Sequence, residues 1–287
     1  MMMNDKDKMH PDDRRNMIIF IIAAVCIWIS FDRFILQPKM QAMVQARQAI
    51  EQQAALSVKN EEAQAAIIRP RTEVIGADVR IPVKTPALSG TIALKGNRFD
   101  DLSLQNYYET LEKKDRVVLL SPSGTPYPRY AEAGWLSDDK SIILPDKDSV
   151  WQRSDAVAAL TPETPVALYW DNGQGLRFER RIAIDARYMI TQTLSVQNNS
   201  GREVILYPYS LVSEHGLPKD FEGYAIVHEG PIGYVGKDLI EHSYKKIAKE
   251  GADERLAAGG WIGITAKYWF TGLIPPQEDP SKFRFLY

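Results

Sequence analysis

The stretch Met17–Leu36 constrains this chain more than any other. Met17 to Phe31 reads MIIFIIAAVCIWISF and carries no charge. Together with Asp32, Arg33, Phe34, Ile35 and Leu36 it reaches about 20 residues, the helical length that crosses a ~30 Å hydrocarbon core. Asp32 and Arg33 stand near one end, where long side chains reach the interface, and Trp28 suits the interfacial belt. A cleaved signal peptide would have a shorter apolar core followed by small residues in an A-x-A pattern. Here SFDRFILQP follows and offers no such site. A buried helix of a soluble protein fits poorly, because the run is apolar on every face and adjoins a polar tail. Arg14 and Arg15 abut the N-terminal end. Under the positive-inside rule they favour an internal tail, residues 1–16, with the rest of the chain translocated.

Gln37 to Ile68 is rich in Ala and Gln, with sparse apolar positions at Met40, Met43, Val44, Ile50 and Leu56. It has no Gly, and its single Pro, Pro38, stands at the start. That favours helix, but the stripe is thin and no heptad is sustained, so a helical or partly disordered spacer over 37–71 is expected. A coiled coil with a partner is the alternative.

The pattern changes at Arg69-Pro70. From residue 72 to 287 short apolar runs alternate with Gly, Pro, Asn and Asp. The runs are Glu73–Ile75, Gly90–Leu94, Val117–Leu120, Pro165–Trp170, Leu176–Ile184, Tyr188–Asn198, Val204–Val212, Tyr224–His228, Ile232–Val235 and Gly260–Ile274. Many alternate with period two, as in YMITQTLSVQN before the turn Asn199-Ser200-Gly201-Arg202. A mainly β domain follows, a single large sandwich of mostly antiparallel strands. Trp170, Phe178, Ile190, Leu194, Leu206, Trp261 and Tyr268 are expected in its core. Ser103–Lys113 and Lys245–Ala258 are candidate helices.

Composition excludes some function classes. Net charge is −2 and the pI about 6.1, with no basic patch of the kind nucleic acid requires, so no nucleic-acid partner is expected. The one cysteine, Cys26, lies in the apolar run, so no intrachain disulfide braces the domain. His215, His228 and His242 match no metal-ligand spacing. Gly134, Gly173, Gly175, Gly259 and Gly260 read as turn or bulge glycines. The adjacent pairs Asp100-Asp101 and Asp138-Asp139 read as turn chemistry, since neighbours on a strand point to opposite faces. The cluster Trp261, Tyr268, Trp269 and Phe270 reads as core, with a carbohydrate or peptide platform as the alternative. No catalytic, cofactor-binding or metal residue is assigned, and no cofactor is expected.

Three stretches resemble the YidC family of bacterial membrane-protein insertases. Gly90–Leu120, GTIALKGNRFDDLSLQNYYETLEKKDRVVLL, followed by Ser121-Pro122, is similar to the family's LKG…IDDLxLxxY…LLSP segment. Phe178–Ile184 with Thr191–Ser213 resembles its strand pair ending LYPYxLxxxxG. Gly259–Pro275, GGWIGITAKYWFTGLIP, resembles its GGWxGxxxKYWxxxLIP stretch. The resemblance runs from about Asp13 to the C-terminus. It implies a twisted, galactose-mutarotase-like sandwich in the periplasm, held to the inner membrane by one span and not acting as an enzyme. It further implies the Sec translocon and its accessory subunits, client membrane proteins and lipid as partners. In this family a later five-helix bundle, with a groove and a key arginine, carries insertion. No second apolar run of membrane length is present here, so the chain is expected to be a fragment or a truncated product. The rival reading is a membrane-anchored periplasmic sugar-binding or mutarotase-like enzyme, which would need His215 or His228 to converge with Glu222 or Glu229.

Overall fold

The even positions of Leu176–Ile184 are Leu, Phe, Arg, Ile and Ile, and this alternation sets the layer around which the domain is built. In the computed structural model, which describes residues 20, 33, 68–218, 221, 227–278 and 282–287, that stretch is strand β8, with its even side chains buried and its odd ones half-buried or exposed. The chain divides into the units Met1–Leu56 and Ser57–Tyr287. The apolar run 17–36, apart from Phe20 and Arg33, and the spacer up to residue 67 lie outside the described residues. Among the described residues no helix is long and apolar enough to cross a membrane.

Within the second unit the structure is mainly β. One sheet has the order β1 (Arg80–Lys84), β2 (Leu88–Ala93), β3 (Phe99–Tyr108), β5 (Arg129–Leu136), β10 (Tyr207–Glu214), with β4 (Arg116–Leu120) also paired to β3. A second runs β6 (Gln152–Arg153), β7 (Val166–Asp171), β8, β9 (Ile190–Asn198). All these pairs are antiparallel. The two sheets share one core: Ile81, Leu88, Ile92, Phe99, Leu102 and Trp135 from the first meet Val166, Leu168, Phe178 and Ile182 from the second. Trp135 packs edge-on against Phe178 at 5.0 Å between ring centroids and stacks on Trp151 at 6.3 Å. That is the packing of a sandwich, in which each inner face satisfies the other.

The single-sandwich expectation covers only the first ten strands. The sheet β12 (Asp238–Glu241), β11 (Gly230–Val235), β14 (Gly260–Ala266), β15 (Trp269–Leu273) and the pair β13 (Glu254–Ala257) with β16 (Phe283–Leu286) follow. They close on a smaller cluster of Val235, Ile240 and Phe285.

Several local expectations are corrected. Glu73–Ile75 is not a strand but part of helix α1 (Arg71–Gly76): the carbonyl of Pro70 accepts from the amides of Glu73 and Val74, and Glu73 lies in the first turn, where a carboxylate suits the dipole. Ser103–Lys113 is not a helix, because Ser103–Tyr108 belongs to β3. Its Leu102 and Leu104 are buried with period two, and pairing to β2 and β4 decides where propensity is neutral. Lys245–Ala258 is helical only at its start. Helix α2 (Tyr244–Glu250) is capped by Ser243, whose hydroxyl accepts from the Lys246 amide, and ends at Gly251, φ +79°. Strand β13 then begins. Val204 and Leu206 reach the core from the loop before β10.

Of the expected core, Phe178 is fully buried, and Trp170, Ile190, Leu194 and Leu206 pack against it half-buried. Trp261 is half-buried outside that core and packs on Phe270, with centroids 5.2 Å apart. Tyr268 is 74% exposed, because Lys267 takes φ +46° and turns the chain there, so alternation points the next residue, Trp269, inward. Tyr268→Ser should therefore change the unfolding free energy by no more than about 0.5 kcal/mol in urea titration, against several for a core aromatic.

Candidate functional site

A charge sits where the pattern calls for an apolar residue. Arg180, at an inward position of β8, is 1% exposed. Its Nη1 donates to the carbonyls of Asn97 (2.7 Å) and Ala133 (3.3 Å), and its Nη2 donates to Gln192 Oε1 on β9. With the Asn97 amide turned so that its oxygen faces the guanidinium, that oxygen accepts from Nε at 3.0 Å and from Nη1 at 2.8 Å. The cation lies 5.9 Å from the Trp151 ring centroid. Burial lowers its pKa to about 10, which still leaves it charged at neutral pH. The guanidinium is thus held by dipoles from both sheets, with Glu132 near enough to favour its charge.

Beside it, Glu132 accepts from Arg98 Nε at 2.6 Å and from the Tyr209 hydroxyl at 3.2 Å. Burial, then the Glu132 carboxylate, push the Tyr209 phenol far above its ordinary value. The Tyr209 ring covers Gly134, its cross-strand partner, where a Cβ would lie 2.9 Å from the ring. Gly134 is therefore not a turn glycine but a mid-strand gap filled by an aromatic. Gly173 and Gly175 do sit in a turn with positive φ, and Gly260 opens β14 in close approach to another strand. The cavity here, lined by Glu132, Lys147, Trp151 and Tyr209 among others, has about 30 Å³. That is room for one water and not for a sugar.

The carboxylate pairs behave differently from each other. Asp139 accepts from the amide (2.9 Å) and hydroxyl (2.7 Å) of Ser141, which hold its carboxyl below the usual range, and this is turn chemistry as expected. Asp100 and Asp101 are not in a turn. They lie in β3 at a bulge, where Asp101 pairs with Thr91, Phe99 with Ile92, and Asp100 is the extra residue. Both are drawn into one network. Arg80 bonds Asp100 and donates to Thr91 Oγ1 (2.6 Å), Thr91 donates to Asp101 (2.5 Å), and Arg71 of α1 bonds Asp101 and Ser103. A bulge re-aims side chains that simple alternation would separate. The result fastens α1 to the sheet.

The histidines are placed as packing residues. His228 Nδ1 meets Thr265 Oγ1 at 2.8 Å, and His215 stacks on Tyr130 at 6.3 Å. His242, buried, meets Asp253 Oδ2 at 3.0 Å and lies edge-on to Tyr287 at 5.2 Å. Glu229 is buried near the Tyr244 hydroxyl, which itself donates to Glu214 at 2.6 Å. Glu222 falls outside the described residues. Among the described residues no group of three or more His, Cys, Asp or Glu side chains could hold a metal ion. Arg180 escaped the sequence reading, although an arginine in register with Leu176, Phe178, Ile182 and Ile184 was the signal.

The architecture defines a many-stranded, mainly β domain with a cavity of about 30 Å³ beside Glu132 and Tyr209. A family model described as the YidC periplasmic domain matches residues 80–287. Curated relatives named "Membrane protein insertase YidC" match 73–95% of the chain. The one from Beijerinckia indica is 40% identical, over 95% of this chain and 48% of its own length, and the one from Nitrobacter hamburgensis is 41% identical, over 95% and 46%. That of Methylorubrum extorquens is 45% identical over 73% of this chain and 35% of its own. The chain belongs to the YidC family, and it spans about half the length of the curated relatives it matches.

Proposed function

We propose that this chain is the membrane-anchored N-terminal part of a YidC-type insertase, which assists insertion, folding and assembly of inner-membrane proteins. The observation that carries this reading is the family match over 80–287, joined to relatives named as insertases along 95% of the chain. In this reading residues 1–16 are a cytoplasmic tail, 17–36 a single inner-membrane span, 37–71 a spacer, and 72–287 a periplasmic domain with the mutarotase-like twist. The domain is an interaction and scaffolding module, not a catalyst. Its partners are the Sec translocon with its accessory subunits, client membrane proteins and lipid. A cavity of about 30 Å³ and histidines committed to packing speak against the sugar-binding alternative.

Topology tests the reading. With Cys26→Ser as background, a cysteine at exposed Asn199 should react with a membrane-impermeant maleimide in spheroplasts, and one at Asn4 only after lysis. The reverse pattern overturns the orientation. Labelling of both in intact spheroplasts, with the chain in the soluble fraction, overturns the anchor.

A further inference from the structure

Three hairpin turns from three different sheets meet at one end of the domain. The β3–β4 turn is closed by the Glu109 amide on the Asp115 carbonyl at 2.9 Å. The β8–β9 turn is closed by Asp185, whose Oδ1 accepts from the amides of Arg187 (2.8 Å) and Met189 (3.0 Å). The β14–β15 turn is Lys267-Tyr268. Tyr107, at the end of β3, joins them: its ring meets Trp269 edge-on at 4.9 Å, and its hydroxyl lies near that of Tyr188. Beyond this junction the turns project apolar side chains into solvent. Leu111 is 100% exposed, and Met189, Tyr188 and Tyr268 are exposed with it.

We propose that this three-turn tip is a bilayer-contacting surface that seats the anchored domain on the membrane interface. The inference rests on the reading of residues 17–36 as a span. Tyrosine and tryptophan rings with one polar end suit the headgroup region, where apolar and wet surroundings meet. The apolar groups stand on separate projecting turns, which a soft interface accepts singly, whereas a protein partner needs one continuous complementary patch. Each turn also carries a long basic side chain, Lys113, Arg187 or Lys267, able to reach phosphate while its stem lies along the apolar boundary. Glu109, Asp115 and Asp185 offset them, and Glu112 pairs with Lys114 at 2.8 Å, so the rings carry the contact and dependence on anionic lipid is weak.

The tether makes a weak contact count. The chain joins the domain near the β4–β5 turn, where the Arg69 amide bonds the Gly124 carbonyl, at the far end of β3 from the tip. Residues 37–67 reach about 30 Å as a flexible chain and about 45 Å as a helix. The length of β3 is about 30 Å. The spacer can therefore lay the tip on the bilayer, and confinement near it raises the effective concentration to the millimolar range or so.

The experiment uses the full chain, with Cys26→Ser, in vesicles of phosphatidylcholine and phosphatidylglycerol. An environment-sensitive fluorophore is placed at Thr110→Cys on the tip, or at Asn199→Cys at the opposite end of β9. The tip probe should blue-shift and lose about half its emission when the acyl chains are brominated at interfacial depth, while the far probe stays solvent-like. Leu111→Ser with Tyr268→Ser should restore most of the tip emission. Solvent-like signals from both probes in chains that float with the vesicles overturn this proposal alone, as does equal quenching of both. A tip shielded only after a protein partner is added overturns it in favour of protein docking. Failure to float overturns the anchor reading and this proposal with it.

Discussion

Replacing Arg180 with methionine should lower the unfolding free energy of the domain by about 3–5 kcal/mol, the range for removing one partner from a buried charged network. Methionine keeps an apolar stem at this buried position but leaves the carbonyls of Asn97 and Ala133 and the Gln192 amide without the guanidinium donor. Each such buried acceptor costs about 1–3 kcal/mol when orphaned. The opposing effect is relief of the desolvation of a buried cation, which makes isosteric replacement of whole buried networks nearly neutral. Here only one member is replaced, so the loss wins. For a domain of this size the melting temperature should fall by roughly 10 °C. Urea unfolding of residues 57–287, which form one compact unit with its own core, checks it. Adding Gln192→Leu should recover part of the loss by removing one orphan. A fall below about 1 kcal/mol would mean that water from the adjacent cavity replaces the guanidinium.

Gly260→Val should disrupt the sheet β12-β11-β14-β15 while sparing most of the sandwich. Gly260 has φ +134°, and a Cβ there would lie 2.2 Å from the carbonyl oxygen of Tyr234 and 3.1 Å from Cα of Val235. Both are backbone atoms of β11, to which Gly260 is paired through Val235, so no side chain can rotate away. Clash and strain together should cost about 4 kcal/mol or more. The damage should centre on β11 and β14, because Val235, Ile240 and Phe285 form a cluster of their own and only Trp269 of that sheet packs against the sandwich core. Hydrogen exchange should quicken at the β11 and β14 amides and stay slow in β7 and β8. Uniform acceleration would show that the two cores unfold as one. Gly76→Ala, where a Cβ meets nothing within 4 Å, is the control and should shift stability by about 0.5 kcal/mol at most.

The β8–β9 hairpin was legible residue by residue. One face of β8 is buried and the facing side of β9 half-buried, so alternation in the sequence maps onto alternation in space, and Asn198 and Ser200 supply the hydrogen bonds that turn the chain after β9. The segment 103–113 was not legible. It holds residues of both propensities, and its conformation depends on pairing with Leu88–Thr91 and with Arg116–Leu120. The aromatic run Tyr268-Trp269-Phe270 was half legible. Alternation requires neighbours to face opposite ways, but which one faces in depends on where Lys267 turns the chain.

By itself the sequence determined that a membrane-length apolar run precedes a mainly β domain, and its three ordered motifs determined the family. Those features are local: an unbroken run, a period of two, and residue types at fixed spacing. Only the tertiary structure decided that Asp100 and Asp101 are ion-paired, that Arg180 is bonded to partners as far as 83 residues away, and that three turns meet through Tyr107, Tyr188 and Trp269. Each of these depends on which strand lies beside which. Pairing across long separations is set by the packing of the whole core, and no window of sequence contains it.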